Sequence, residues 1–143
     1  MSNYTKPLLQ ALVGLLKKGI QSKHEPLQTE VLNVLHSVCS VILSDFGVYY
    51  NDFMPLMTEI LQNVGSETME DKKLRAKTID TMGSIIIAVS DCDNKDVFKG
   101  SVIEVTSYLA QMLHSGMSND DPQDEAVKNT LTQCAGFLQK DFA

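Results

Sequence analysis

Two small groups of residues have types and spacings that could do chemistry. His36 and Cys39 lie three positions apart, a spacing that on a helix could hold an imidazole beside a thiolate for nucleophilic catalysis, or begin a metal site. Asp91, Asp93 and Asp96 alternate with other residues, as the carboxylates of some calcium-binding loops do. Each pattern has to be compared with the structural role that the same residues could fill.

Neither group is complete. A nucleophilic cysteine needs an orienting group and an oxyanion donor besides its base, and nothing in the sequence identifies either. Cys39 follows Val38 towards the apolar face of its predicted helix, which favours a small buried hydrophobic residue. The aspartates lack the glycine and the terminal bidentate glutamate of an EF-hand loop, so solvated loop charge is the better interpretation. The sequence therefore predicts a protein that is not an enzyme, with no metal site and no cofactor.

Composition narrows the classes of partner. Twelve basic and eighteen acidic residues give the 143-residue chain a formal charge of −6, which argues against a nucleic-acid surface and favours basic partners. Three cysteines without a CxxC pair indicate neither a disulfide framework nor a zinc site. The chain has neither a signal-peptide pattern nor an apolar run of about 18 residues. We therefore expect a soluble protein without membrane insertion.

The elements that position these residues follow two apolar patterns, and both patterns return after about 48 positions. The first runs through Leu9, Leu12, Val13 and Leu16, then Met57, Ile60, Leu61 and Val64, then Val105, Tyr108, Leu109 and Met112. The second runs through Leu27, Val31, Leu35, Val38 and Ile42, then Leu74, Thr78, Met82, Ile85 and Val89, then Gln123, Val127, Leu131, Cys134 and Leu138. Because both patterns advance together, they predict stacked helix pairs with a period near that of HEAT or armadillo repeats.

Start and stop signals divide the chain into six antiparallel helices in stacked pairs. They predict helices over about 5–18, 25–44, 50–64, 72–89, 97–114 and 121–142. Gly19, after two lysines, is expected to end the first helix. Interior Gly14 and Gly83 are expected to allow close helix packing. The prediction is a single all-α segment over 1–143, part of a right-handed α-solenoid. The second and third helices, and the fourth and fifth, are expected to form two whole repeat pairs, which leaves the first and the last helix as half a pair each. This order suggests a fragment of a longer solenoid.

Three stretches of the sequence are more specific than a helical repeat. They are YYNDFMP from Tyr49 to Pro55, LRAKT from Leu74 to Thr78, and DDPQ from Asp120 to Gln123. Together with the stretch that begins at Leu27, the chain resembles the central HEAT repeats of the karyopherin-β (importin-β) nuclear transport receptors, nearest the karyopherin beta-3 branch. The resemblance covers about Leu27 to Phe142.

The resemblance implies a non-catalytic receptor segment that works in the cytoplasm, in the nucleus and at the nuclear pore. Its implied partners are cargo proteins with basic import signals, the GTPase Ran, and phenylalanine-glycine repeats of nucleoporins. It also implies that the odd-numbered helices line a concave face for cargo and Ran and that the even-numbered helices form the convex face. On that mapping the candidate protein-binding residues are Glu59, Gln62, Asn63, Glu104, Ser107 and Gln111. The alternative is a HEAT scaffold of another complex, such as a phosphatase regulatory subunit.

Charged residues near two helix starts give further hypotheses. Arg75 is placed in a first turn, where the helix dipole disfavours a cation, so we expect a structural partner between repeats, such as Asp45 or Asp52. Asp120 and Asp121 belong to an acidic connection that could attract basic import signals. In the structural alternative, Asp121 caps the last helix. Uncovered apolar faces at the two ends predict weak self-association.

Overall fold

The chain folds into six α-helices with no strand in the described residues, as the apolar patterns predict. The computed structural model describes residues 2–65, 67–90, 95–115 and 120–142. The helices are α1 (Ser2–Gln21), α2 (Glu25–Ile42), α3 (Tyr50–Asn63), α4 (Met69–Val89), α5 (Lys99–His114) and α6 (Pro122–Phe142). Two 3₁₀-helices, Leu43–Tyr49 and Lys95–Phe98, precede α3 and α5. The fold class is all-α, as predicted.

Both apolar patterns line the interior. Their members are buried or partly buried with one exception, Tyr108, whose ring is partly exposed beside a buried arginine. The largest fully buried side chains include Leu35, Phe53 and Met57. Phe46, in the 3₁₀-helix before α3, is also fully buried and stacks on Phe53 with ring centroids 5.6 Å apart. The core therefore continues through the connection between α2 and α3.

The helices pack in chain order. The even-numbered helices form one row, in which α4 lies between α2 and α6, and α1 packs on α3. Each odd-numbered helix also packs on the even-numbered helix that follows it: α1 on α2, α3 on α4 and α5 on α6. No extensive contact joins α1 to α6 within the described parts of the chain.

Hydrogen bonds link neighbouring even-numbered helices at positions about one repeat apart. Arg75 Nε donates to Gln123 Oε1 over 2.8 Å, and these residues are 48 positions apart. The Ser84 hydroxyl and His36 Nδ1 lie 2.8 Å apart and are also separated by 48 positions. A stack that advances by one repeat brings such residues side by side. These contacts therefore join residues whose separation in sequence is close to the period of the apolar patterns.

The end of α1 differs from the prediction. The helix continues through Gly19 to Gln21, and the left-handed residue that follows is Lys23, at φ 56°. Gly19 lies against α2, where an added Cβ would be 3.1 Å from Gln28 Cγ. Its carbonyl accepts a hydrogen bond from Gln28 Nε2 at 3.1 Å. The glycine therefore serves close approach of two helices rather than termination.

The start of α4 lies one turn before the predicted Lys72. The Thr68 side chain accepts a hydrogen bond from the Asp71 backbone N–H at 3.0 Å and caps a helix that begins at Met69. Glu70 and Asp71 occupy its first turn, where negative charge is favoured. Arg75 therefore lies in the second turn of α4, and the prediction that placed it in the first turn is wrong.

Candidate protein-binding surface

A groove opens between α3 and α5, two helices that share no extensive contact. Its larger part is a cleft of about 360 Å³, and an adjoining cleft of about 130 Å³ continues it towards Tyr108. Both parts share Met54, Thr58, Gln62, Ser101 and Glu104. We call these two clefts together the α3–α5 groove.

Tyr50 holds the beginning of this groove. Its ring is buried at the start of α3 and lies 4.5 Å, centroid to centroid, from the ring of Phe98. Its hydroxyl and Ser101 Oγ lie 2.8 Å apart and share a hydrogen bond between α3 and α5. Burial raises the pKa of the Tyr50 phenol, although the hydrogen bond to Ser101 opposes this shift. The phenol is therefore a neutral structural group that sets the spacing of the two helices.

Arg75 contacts Leu61 and Tyr108, two residues that line the smaller cleft of the groove. Its guanidinium donates to the carbonyl oxygens of Leu61 and Val64 at the end of α3, and to the Tyr108 hydroxyl on α5 over 3.3 Å. With the bond to Gln123, one side chain joins α3, α4, α5 and α6. The last carbonyls of a helix have no partner within it, so a cation at this point also neutralises the negative end of the α3 dipole.

The expected partners of Arg75 were acidic residues, and the observed partners are neutral. The hydrogen bonds described for Arg75 go to carbonyl, amide and hydroxyl oxygens. Asp52 is exposed in the first turn of α3, and the side chain of Asp45 lies outside the described part of the chain. The carbonyls and the amide could not be identified from sequence, because the carbonyls belong to the backbone and Gln123 lies 48 positions away.

The α3–α5 groove is acidic. Among its described lining residues, the charged ones are Glu59 and Glu104. Gln62 of the predicted set also lines the groove, whereas Ser107 and Gln111 are exposed on α5 outside it. The structure therefore brings together three of the six residues that the mapping selected.

The remaining members of the predicted set lie apart from the groove. Asn63 is exposed and lines a separate cleft of about 150 Å³ between α1, α2 and α3. Asp121 Oδ1 accepts a hydrogen bond from the Gln123 backbone N–H at 2.8 Å, so it caps α6. Asp120 is exposed just before it. The carboxylate of Asp121 thus holds the start of α6.

The groove also contains residues that the sequence analysis did not select. Met54, Thr58 and Ser101 line both of its parts. One signal was present, since Tyr50 and Met54 belong to the YYNDFMP stretch.

His36 and Cys39 do not form a catalytic pair. His36 is exposed and its Nδ1 shares a hydrogen bond with Ser84 on α4. Cys39 is buried in the core, and burial raises the pKa of its thiol to about 12. A thiol of that kind carries almost no thiolate at neutral pH. Burial is also the main cause that raises the pKa of the Cys134 thiol.

Other chemical hypotheses fall on residues that are only partly described. Asp91, Asp93 and Cys92 lie outside the described residues, and Asp96 is exposed in a 3₁₀-helix. Within the described ranges, no cluster of three or more His, Cys, Asp or Glu side chains has a geometry that could hold a metal ion. In the same ranges, no helix has both the length and the apolar character needed to cross a bilayer.

Comparisons with known proteins leave the family unassigned. No protein-family model matches the chain, and no solved structure matches it.

Proposed function

We propose that this chain is a non-catalytic protein-binding segment of a nuclear transport receptor of the karyopherin-β kind, with HEAT-type helix pairs. The observation that carries the proposal is the α3–α5 groove, in which Glu59 and Glu104 are the charged lining residues. An acidic groove on the helices that would face cargo is complementary to a lysine-rich import signal. The resemblance of the YYNDFMP, LRAKT and DDPQ stretches supports the same family.

The walls of the groove suit an extended peptide. Met54 provides a polarizable apolar surface, while Thr58, Gln62 and Ser101 provide hydrogen-bonding groups beside the two carboxylates. The aliphatic stem of a lysine can lie on an apolar surface while its ammonium group reaches a carboxylate. A basic peptide would therefore find both contacts along the same groove.

A second cleft supports contact with nucleoporins on the opposite row of helices. It has about 500 Å³ and lies between α2 and α4, with Pro26 and Leu74 among its lining residues. Lys73 and Lys77 border it, so their aliphatic stems add apolar surface. We assign a short phenylalanine-containing segment of a nucleoporin to this cleft. In the same proposal, GTP-loaded Ran regulates the release of cargo as the receptor moves between cytoplasm and nucleus.

Fluorescence anisotropy with a labelled lysine-rich import-signal peptide tests the cargo proposal. We expect the Glu59→Gln/Glu104→Gln variant to bind the peptide about five-fold more weakly, the scale of 1 kcal/mol. The difference should grow at low salt, because exposed charges are screened over about 8 to 10 Å near physiological ionic strength. Glu125→Gln, an exposed acidic residue on α6, removes the same kind of charge outside the groove and is the matched control.

Two results would contradict the proposal. Equal peptide affinity of the double variant and the control would show that the groove is not the binding site. A pull-down tests the alternative scaffold. That alternative would be favoured if the chain retained a phosphatase catalytic subunit but did not bind GTP-loaded Ran, import-signal peptide or nucleoporin repeats. Asp120→Asn tests the acidic connection separately, since it leaves the Asp121 cap in place.

A further inference from the structure

The first two turns of each even-numbered helix carry one buried polar side chain at an equivalent position. The buried residues of α2 are Gln28, Val31, Leu32, Leu35 and Cys39. The buried residues of α4 include those 47 positions later: Arg75, Thr78, Ile79, Met82 and Ile86. The buried residues of α6 include those a further 48 positions on: Gln123, Ala126, Val127, Thr130 and Cys134. Gln28, Arg75 and Gln123 therefore occupy the same place in three successive repeats.

Arg75 reaches further than Gln28 does. Gln28 Nε2 donates over 3.1 Å to the Gly19 carbonyl near the end of α1, as Arg75 donates to the end of α3. Arg75 also donates to the Tyr108 hydroxyl on α5 and to Gln123 on α6, which belong to the next repeat. Within the described residues, no hydrogen bond of the Gln28 side chain crosses to α3 or α4. The shorter amide thus leaves the corresponding connection between the first two repeats unfilled.

A cleft of about 150 Å³ lies at this unfilled connection. Gln28 and Ile60 both line it, and the residue equivalent to Ile60 in the next repeat is Tyr108, a partner of Arg75. A water molecule takes up about 30 Å³ of the liquid, so the cleft has room for about five heavy atoms. The planar end of an arginine side chain, with its last methylene group, has that size. The first repeat therefore has an open space where the second has the guanidinium of Arg75.

The cleft presents carboxyl groups to a cation. Those of Glu25 on α2 and Asp71 on α4 line it. A hydrogen bond between these two side chains, followed by burial and the charges of Asp71 and Glu70, raises the pKa of Glu25 to about 7. Two carboxylates this close repel each other, and a cation between them would relieve that repulsion.

The side-chain oxygen of Gln28 opens to the same cleft. Gln28 is 2% exposed, and its side-chain oxygen accepts no hydrogen bond from the described residues. In the described parts of the chain, every completely enclosed side-chain oxygen or nitrogen has a partner. This oxygen is therefore not completely enclosed, and the cleft is the space that it adjoins. It is available to a donor from outside the chain.

A guanidinium suits these acceptors better than an ammonium group does. Its donors lie in a rigid planar fork, so one group can bond several acceptors, as Arg75 does. We propose that the cleft binds the arginine side chain of a partner protein, held by Glu25, Asp71 and Gln28, in the place that Arg75 fills one repeat later. The site is separate from the α3–α5 groove and does not depend on the proposed function.

NMR titration of the isotope-labelled full chain with a capped Gly-Arg-Gly peptide tests the site, and capped Gly-Lys-Gly is the matched probe. We expect the arginine peptide to bind more tightly and to shift the signals of Gly65, Asp71 and the Gln28 side-chain amide. Glu25→Gln/Asp71→Asn should raise its dissociation constant at least about tenfold, the scale of 1.4 kcal/mol. Glu30→Gln, on the same helix but outside the cleft, should leave it unchanged.

Two further variants separate this site from the rest of the chain. Gln28→Arg supplies a guanidinium from the chain itself and should abolish binding of the arginine peptide. Glu59→Gln/Glu104→Gln, in the α3–α5 groove, should leave that binding unchanged. Circular dichroism verifies that each variant is folded, and the carboxyl variant carries the test if Gln28→Arg does not fold.

Three results would overturn the proposal. They are unchanged signals around the cleft at millimolar arginine peptide, equal affinity for the lysine peptide, and equal affinity of the carboxyl variant and the wild type. Lys23 also lines the cleft. Binding that appears only in Lys23→Met would likewise overturn the proposal, because it would assign the cleft to the chain's own lysine.

Discussion

α2 and α4 are the same kind of helix one repeat apart, yet they differ greatly in burial. Five residues of α2 are buried, against twelve of α4. The apolar pattern is shared, so the difference comes from neighbours: α4 lies between α2 and α6, whereas α2 has an even-numbered neighbour on one side only. The burial of a position in this array is therefore determined by the place of its repeat in the stack as well as by its residue type.

The second neighbour also changes what α4 must contain. Polar groups buried on both sides need partners inside the protein. Thr78 and Thr81 each donate to the carbonyl four residues earlier, at 2.8 Å, and Arg75 donates to the end of α3. Substitutions on α4 should therefore affect stability differently from substitutions on α2.

The largest effect is expected at Arg75. Arg75→Ala should reduce the free energy of unfolding by about 3 to 5 kcal/mol, because it removes charge-assisted hydrogen bonds and leaves buried acceptors without donors. Arg75→Lys keeps the charge but loses the planar fork, so we expect an intermediate loss. Urea denaturation measures both. A loss below about 1 kcal/mol for Arg75→Ala would mean that water replaces the guanidinium at little cost.

A core truncation on the less buried helix should have the next largest effect. Leu35 of α2 is fully buried, so Leu35→Ala should cost about 2 to 5 kcal/mol. Its neighbour Val34 is 42% exposed on the outer side of the helix, so Val34→Ala should change stability by no more than about 0.5 kcal/mol. Chemical denaturation of the two variants compares the two faces of α2. Similar losses for both would show that the assigned inner face of α2 is wrong.

Gly83 and Gly14 differ in how closely other atoms approach them. At Gly83 on α4 an added Cβ would lie 2.9 Å from Thr130 Oγ1, which donates to the Ile79 carbonyl. Gly83→Ala should therefore cost about 1 to 3 kcal/mol. Gly14 on α1 has nothing within 4 Å, contrary to the expected close packing, so Gly14→Ala should stabilise by up to about 1 kcal/mol.

A double-mutant cycle identifies the cause at Gly83. In a Thr130→Ala background, Gly83→Ala should lose most of its cost, because the hydroxyl that opposes the new methyl group is gone. Thermal unfolding of the four proteins gives the coupling. An unchanged cost in that background would place the clash on another neighbour.

The smallest effect is expected where α2 and α4 meet at their first turns. The pKa of Glu25 is raised from 4.5 to about 7. The largest cause is a side-chain hydrogen bond with Asp71, and burial and the charges of Asp71 and Glu70 act in the same direction. A raised carboxyl pKa favours the folded state at low pH. This contribution is complete below pH 4.5 and is lost as the pH rises through about 7.

Comparison with Glu25→Gln isolates that contribution. We expect the stability of the wild type, relative to the variant, to fall between pH 4.5 and 7, with the variant more stable at pH 8. The effect should be small because Glu25 is partly exposed to water. Glu30→Gln, an exposed glutamate on the same helix, is the control. Parallel pH profiles of wild type and Glu25→Gln would contradict the raised pKa of Glu25.

The helices were predictable from sequence because their signals are local. The apolar spacing of each helix and caps such as Asp121 depend on residues within a few turns. Errors arose where a distant contact changed the meaning of a local signal. Gly19 looked like a helix stop, but it is the point at which Gln28 of α2 approaches. The start of α4 differs for a local reason, because Thr68 caps the helix three residues before Asp71.

The candidate groove was only partly predictable. Glu59, Gln62 and Glu104 came from a mapping onto the odd-numbered helices, and the structure places all three in the α3–α5 groove. Ser107 and Gln111 were equally polar in sequence, yet they lie outside it. Whether such a residue lines the groove depends on how its helix is rotated relative to the neighbouring helix. The contacts of Tyr50 with Phe98 and Ser101 hold the starts of α3 and α5 in their arrangement.

The all-α class, the six helices and the two apolar patterns that repeat about every 48 residues were predictable from sequence, because backbone hydrogen bonding and amphipathic spacing act over short range. The acceptors that hold Arg75 and the close packing of α4 between α2 and α6 depend on the tertiary structure. Those features depend on residues about one repeat apart coming into contact, and a repeated pattern specifies the same helix three times without specifying what covers each copy.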